Sequence, residues 1–491
     1  MKKSIYVFII LSVLAFTSCK KPPEEVKEQI ESIIIDYIND LSIGETINLS
    51  ATVVSNIEKD YSSQIKWEVN DKSLVDITDN TLTAKQDGLV TLTAYITDEI
   101  YTSVDFYISS IIVNDNVVIG VKNKNIEKLY IPHNFKDYTI TKIAEDSISN
   151  MPNLKEIIIE EGITEIDHYA FSENKKLEYI SLPSTLRKVH LDSFEYCDNL
   201  KYNKRDSNID DCLYLGNKDN PYLLLVKSES TIKNLVLDEG TKLVLDYAFE
   251  NNQTIETINL TKVIYIGEYV FFECDNLISV EFYKDLLELS YNLFCGCSSL
   301  KKVVLPENLK IIGSYTFAYC YKLEDINIPN NIEIIKPYAF YSCYAIKEII
   351  LPNTVTKIDV NGFYCCSGLE KIVLSENLDY IGNYAFYNCS SLKTIVIPEK
   401  ITTISSYMFS GCTSLESITL SSNITKIAIS AFENCTNLKS IYITEKITTI
   451  DNSAFKNCKS LTIYSQTPSP LETWDNGWNV SNCPVVWNYQ E

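Results

Sequence analysis

Phe271, Phe294, Phe317, Phe340, Phe363, Phe386, Phe409, Phe432 and Phe455 lie 23 residues apart without exception. A strict period of this length marks a solenoid, in which each unit contacts only its neighbours and the chain lengthens by repetition. It therefore overrides the length rule that would assign 491 residues to roughly three separate domains of ~150 residues. Upstream the same phase passes, with one 22-residue step and one long interruption, through Phe249, Phe194, Phe171 and, more weakly, Ile148, giving about thirteen units.

Other columns keep step. Six residues past the phenylalanine stands Leu or Ile (Leu300, Leu323, Ile346, Leu369, Leu392, Leu415, Leu438), and at nine and eleven stand pairs such as Val303/Leu305, Ile326/Ile328 and Ile349/Leu351. The alternation predicts a short strand with its apolar face inward, ended in many units by a proline such as Pro306, Pro329, Pro352 or Pro398. A second extended piece carries Ile312, Ile335, Ile358, Ile381 and Ile404 before a tight turn returns to Phe. One unit alone buries too little apolar surface to offset the entropy of ordering its backbone. Stacking is therefore obligatory.

Lys2 and Lys3 precede an apolar run from Ile5 to Phe16, too short to span a bilayer as a helix, and residues 1–18 read as a signal peptide. Phe16-Thr17-Ser18-Cys19 resembles the lipobox of bacterial lipoproteins, with Phe16 where that family usually has Leu. The resemblance implies acylation of Cys19 and attachment to a membrane, since several acyl chains anchor firmly where one holds marginally. Residues 19–40 are expected to be a spacer, although Ile33 to Ile35 fit a buried strand equally well. From 41 to 113 short alternating runs (TINLSATVV, QIKWEV, LVTLTAYIT, SVDFYISS) predict a small antiparallel β-sandwich. SIGETINLSATV, IKWEVND and DNTLTAKQDGLVTLTAYIT resemble the group 2 bacterial immunoglobulin-like domain, with Gly44, Trp67, Gly88 and Ala94 at its turn, core and closing-strand positions. That resemblance implies a stalk.

The L-x-x-I-x-L strand, the period and the F-x-x-C turn resemble the BspA-like leucine-rich repeats of bacterial surface proteins. The fold class expected is thus mostly β, a leucine-rich repeat solenoid over 114–463 preceded by the Ig-like sandwich, with a hairpin inserted at about 201–227 and a C-terminal cap over 464–491. The resemblance implies attachment to host matrix components or other cells. An exported protein, lipid-anchored in the cell envelope at the outer membrane or cell surface, is the location it implies.

Composition narrows the chemistry. A formal charge of −22 repels phosphate backbones and argues against a nucleic-acid binder. Three histidines and 14 glycines leave few parts for His-based catalysis, metal sites or phosphate loops, so no enzyme, cofactor or metal is expected. Cys197, Cys274, Cys297, Cys320, Cys343, Cys366, Cys389, Cys412, Cys435 and Cys458 each follow the phased Phe by three, and Asn174 and Asn252 replace them elsewhere. A column in which Cys and Asn interchange suggests small inward side chains serving turn backbone groups; disulfides or a metal are the weaker alternatives. Asp206, Asn208 and Asp210 begin like a calcium loop, but Asp211 stands where Gly is required and Asn217 where Glu is, so a polar loop is expected. His133, His168 and His190 form no triad or zinc spacing. Tyr169, Tyr247, Tyr338, Tyr384 and Tyr407, two before the Phe, are read as packing. Trp474, Trp478 and Trp487 are read as a cap over the last strand edge, with a tryptophan-lined sugar site as the sharper alternative.

Side chains between the inward pair point outward. At eight past Phe these are Lys302, Asp325, Glu348, Lys371, Thr394, Ser417 and Ser440; at ten they are Val304, Asn327, Ile350, Val373, Val396, Thr419 and Tyr442. Thirteen layers at about 4.8 Å make a face on the order of 60 Å long, suited to a protein or a long glycan. The function expected is non-catalytic binding or adhesion through this face. The rival is a structural envelope or surface-layer component that self-associates; a carbohydrate-active enzyme using pairs such as Asp325 and Glu348 comes third.

Overall fold

Each 23-residue unit closes into one coil because its apolar columns can be hidden only by facing the coil's interior. The structure, a computed structural model, describes residues 27–205 and 211–490. The signal-peptide segment, Cys19, the start of the spacer and the Asp206–Asp210 ligand positions lie outside the described residues. The chain divides into two compact units between Ile108 and Ser109.

The paired strands of the first unit are antiparallel, with one isolated parallel bridge between Leu41 and Ile108. Lys66–Val69 pairs with Gly88–Thr97, which pairs with Ile100–Ile108; Val75–Thr78 pairs with Thr81–Ala84, which pairs with Thr46–Asn48. Leu82, Val90, Leu92, Phe106 and Ile108 form the core between these strands. Asp79 and Asn80 carry φ of 48° and 61°, the two left-handed residues of a type I′ hairpin turn, whose twist matches that of the flanking strands. Trp67 is opposite the fully buried Ala94 and packs against the core half-buried. The expected spacer shortens, because Ile30–Ile35 is a strand paired with Ala51–Ser55, with Ile33 buried. Of the three consecutive isoleucines, Ile33 turns inward while Ile34 stays exposed, as the alternation of a strand requires.

The second unit is a solenoid of about 16 turns, three more than the phenylalanine phase gives. Lys128–Ile131 supplies a rung ahead of Glu156–Ile159. The hairpin Cys212–Leu215/Leu224–Ser228 is wound into the stack, since Leu224–Ser228 pairs in parallel with Leu243–Val244. At the far end Val485–Val486 pairs with Thr462–Ser465. Each coil contributes to two parallel ladders. The first, the L-x-x-I-x-L strands, runs through rungs such as Lys302–Val303, Asp325–Ile326, Glu348–Ile350 and Lys371–Val373. The second runs through Ile311–Ile312, Ile334–Ile335 and Lys357–Ile358. The hairpin Ile111–Asn114/Val117–Val121 heads the second ladder through another I′ turn at Asp115-Asn116.

Inside, the phenylalanine rings stack coil on coil at 5.1–5.7 Å from Phe249 to Phe455, nearly parallel, and are fully buried. Beside them the Sγ of each cysteine three past the phased Phe donates to the phenylalanine carbonyl of the preceding coil, as Cys320 to Phe294 (3.2 Å) and Cys343 to Phe317 (3.1 Å). Asn174 Nδ2 does the same for the Ile148 and Phe171 carbonyls, both at 2.8 Å, which explains why Asn and Cys interchange. Burial pushes the Cys274 and Cys458 thiols up to about 12. The turn reverses through two left-handed residues flanking the Phe by two on either side, such as Tyr338 (φ 59°) and Ser342 (φ 59°) around Phe340. Cys365 occupies one of these positions (φ 59°), so it stands apart from the buried Cys366 beside it.

Candidate ligand-binding face

The first ladder presents the predicted outward residues on a single surface. Lys302 is in register with Asp325, Glu348 with Lys371, Lys371 with Thr394, Thr394 with Ser417 and Ser417 with Ser440. All fourteen are exposed except Ser440, which is half-buried. Alternation places them there: their neighbours Val303, Ile349, Ile395 and Ile441 are buried. The ladder is interrupted between Asp325–Ile326 and Glu348–Ile350, where Asn327 Oδ1 accepts from the Leu305 backbone N–H at 2.8 Å and the inward pair Ile326/Ile328 is only partly buried.

Charge on this face is neutralised within it. Lys302 Nζ pairs with Asp325 at 2.7 Å and Lys371 Nζ with Glu348 at 2.6 Å. One residue earlier in the repeat a second column alternates in sign from coil to coil. Its pairs include Lys155 with Glu127, Lys201 with Glu178, Lys233 with Glu256, Lys393 with Glu370 and Lys439 with Glu416. The Lys393 hydrogen bond holds the Glu370 carboxyl below its usual range, and that of Lys439 does so for Glu416. Exposed pairs of this kind contribute little to stability; their larger effect is to cancel the field over the ladder. Sequence reading missed the column, although its signal, Lys and Glu alternating seven past the phenylalanines with Ile278 and Thr462 as exceptions, is written in the chain.

Between the ion pairs the tenth position leaves aliphatic side chains in water: Val304 is 57% exposed, Ile350 60% and Val396 64%, with Val373 between them. β-branched residues there suit a strand but are left exposed among the described residues. Toward the C-terminal end the eighth and tenth positions carry no charge, through Thr394, Ser417, Ser440, Val396 and Thr419, and end in Tyr442, with Tyr464 and Tyr489 beyond it and ring centroids 5.0–5.5 Å apart.

The other candidates fall elsewhere. Trp474 and Trp478 are buried, Trp474 Nε1 donating to the Ile447 carbonyl at 3.2 Å and Trp478 standing edge-on to Phe455 at 6.0 Å. They form the floor of the last coil, which removes them as a sugar platform. Tyr247, Tyr338, Tyr384 and Tyr407 join a strip of stacked tyrosines along the turns, for example Tyr384 on Tyr407 at 4.7 Å. His168 and His190 do meet, stacked at 3.7 Å, with His168 Nδ1 2.7 Å from Asp192. Burial, then the neighbouring His168, lowers the His190 pKa. His190 lines a cleft of about 750 Å³ on the second ladder together with Arg187, Glu268, Asp285 and Tyr291. Burial, then Asp246, raises the Glu268 carboxyl. Among the described residues no three His, Cys, Asp or Glu side chains are grouped to hold a metal ion, and no helix is long and apolar enough to cross a membrane.

Residues 121–213, 227–347 and 333–462 match the family described as BspA type leucine rich repeat region, in six copies. No curated protein matches the chain. Among solved structures, a leucine-rich repeat protein from Bacteroides ovatus ATCC 8483 is 24% identical, with 77% of this chain and 97% of that one covered and a TM-score of 0.46. A leucine rich cell surface protein from Faecalibacterium prausnitzii A2-165 is 18% identical over 78% of this chain and 96% of its own, with a TM-score of 0.28. The pneumococcal vaccine antigen PcpA is 17% identical, over 85% and 99% respectively, with a TM-score of 0.29. The family match spans well over half of the chain, in the stretch where the coils stack. The chain belongs to the BspA-type leucine-rich repeat family.

Proposed function

We propose that the protein is a lipid-anchored cell-envelope adhesin that binds a macromolecular ligand without catalysis. Acylated Cys19 holds it to the membrane, the Ig-like domain serves as a stalk, and the outer surface of the first ladder is the contact surface. The observation that carries this reading is the row Val304, Ile350, Val373 and Val396, exposed among charges that are already paired with one another. Exposed aliphatic side chains aligned over many layers are a contact surface without an internal partner. A face whose ion pairs are internally satisfied loses little electrostatic energy when it is covered. Recognition is then spread over many rungs at ~4.8 Å spacing, which suits a protein surface or a polysaccharide chain. Attachment by way of a cell surface agrees with the name of the Faecalibacterium prausnitzii neighbour, a cell surface protein.

Protease treatment of intact cells tests location and anchoring together. The wild-type protein is expected to be removed from whole cells, and Cys19→Ala is expected to leave the membrane fraction. Protein that resists digestion on intact cells yet is cut after lysis contradicts a surface adhesin. Light scattering of the purified chain without any ligand addresses the self-associating envelope component. Growth of particles under those conditions favours that reading instead.

A further inference from the structure

At the C-terminal end of the first ladder the face folds into a cleft of about 430 Å³ lined by Ser417, Thr419, Ser440, Tyr442, Thr444 and others. Tyr464 and Tyr489 also border it. Tyr464 stacks on one side of Tyr442 at 5.3 Å and 20°, while on the other side the neighbouring rung, where Ser417 is in register with Ser440, carries only Thr419. The step from Tyr to Thr leaves a notch with an aromatic wall and a rim of hydroxyls. Tyr489 closes the far end, tilted 48° to Tyr442 and 65° to Tyr464.

The lining decides the chemistry. It contains no Lys, Arg or His, and its one carboxylate, Glu399, accepts from the Ser422 hydroxyl at 2.9 Å. An anionic ligand would find no countercharge there, and a cationic one only a carboxylate already engaged. Ser, Thr and Gln side chains with tyrosine hydroxyls can both donate and accept, matching a ligand that offers many hydroxyls of its own. The aromatic wall is electron-rich on its face and attracts the slightly positive C–H groups of an apolar patch. A neutral pyranose combines those two features.

We infer that this cleft is a saccharide subsite that takes a neutral hexopyranose unit, at a chain end or within a polysaccharide, against Tyr442, with Ser417, Ser440 and Thr419 along its edge. This deepens the proposed binding role of the face and rests on it, since the notch is the last part of the same ladder.

Isothermal titration of the purified full-length chain with cellohexaose, maltohexaose and mannohexaose, and with a hyaluronan hexasaccharide as the anionic arm, tests the assignment. At least one neutral hexasaccharide is expected to bind and the uronate not to. Tyr442→Ala is expected to weaken binding by about tenfold or more, Tyr442→Phe by less, because it keeps the ring. Thr419→Tyr, which fills the notch without deleting the wall, is expected to abolish binding, while Ile429→Glu, an exposed aliphatic outside both the cleft and the tenth-position row, leaves it unchanged. Circular dichroism of each variant separates loss of the site from loss of fold. Absence of binding to all three neutral sugars, preference for the uronate, or indifference to Thr419→Tyr overturns the subsite. If the sugars fail while replacing the contact-row residues (Val304→Glu with Ile350→Glu) still abolishes attachment to a macromolecular surface, the adhesive reading of the face survives and only the saccharide assignment falls.

Discussion

Phe363→Ala lowers the stability of the solenoid by about 3–5 kcal/mol. Phe363 is fully buried between Phe340 at 5.1 Å and Phe386 at 5.7 Å, and its backbone N–H donates to the Ala385 carbonyl of the next coil at 2.9 Å. Truncation removes the ring's buried surface and both stacking contacts and leaves a cavity in a column that cannot readily close, since its own coil is held in register with its neighbours by the parallel rungs Glu348–Ile350/Lys371–Val373 and Lys357–Ile358/Tyr380–Ile381. Phe363→Leu keeps much of the volume and costs less than half as much. Urea titration followed by circular dichroism measures both. A loss below about 1 kcal/mol for the alanine variant contradicts a continuous aromatic core.

Trp478→Ala is expected to cost a similar amount, about 3–5 kcal/mol, but to act locally. Trp478 lies 23 residues beyond Phe455 and occupies the position the next phenylalanine would take. Cys483 Sγ, just beyond, donates to the Cys458 carbonyl at 3.4 Å, prolonging the thiol column. Without the indole, the end of the stack opens to water. Because stability in a repeat array is a sum over neighbouring units, hydrogen exchange is expected to accelerate in Ser440–Ile443 and Thr462–Ser465 while amides around Glu156–Ile159 stay protected. Trp478→Phe restores most of the protection, since phenylalanine is what the column holds elsewhere. Uniform acceleration along the whole solenoid, or none near the C-terminus, contradicts the assignment of Trp478 as the terminal member of the column.

These expectations mark how far the sequence is legible. Phenylalanine and cysteine at fixed spacing declare the stacked core because both must face inward in every coil, and the outward residues from Lys302 to Tyr442 follow by alternation. The coil count is less legible. The rung at Lys128–Ile131 has no phenylalanine, the coil containing Cys212–Leu215 is stretched by its hairpin, and the last turn carries Trp478 in place of Phe. Left-handed residues at two before and two after Phe were hidden because many side chains fill them, Tyr, Asn, Ser, Glu and Cys among them, so no single residue type marks the turn. Tyr464 was missed for a different reason. A 22-residue step places it nine past Phe455 in sequence, yet the register pairs it with Tyr442, ten past Phe432. The stacked His168 and His190 come from adjacent coils, and the rule of 23 that found the phenylalanines passes over a 22-residue neighbour relation.

The central claim is that the row of unpartnered aliphatic side chains on the first ladder grips a macromolecule. Its most direct test is retention of the purified chain on matrix-coated, cell-coated and polysaccharide-coated surfaces. The wild type is compared with Val304→Glu/Ile350→Glu/Val396→Glu and with Ile429→Glu, an exposed aliphatic away from the tenth-position row. The wild type is expected to be retained on at least one surface, the triple variant to lose about tenfold or more of that affinity while keeping its circular dichroism spectrum, and Ile429→Glu to bind as the wild type does. Equal retention of the triple variant and the wild type, or retention of the wild type on none of the surfaces, contradicts the claim.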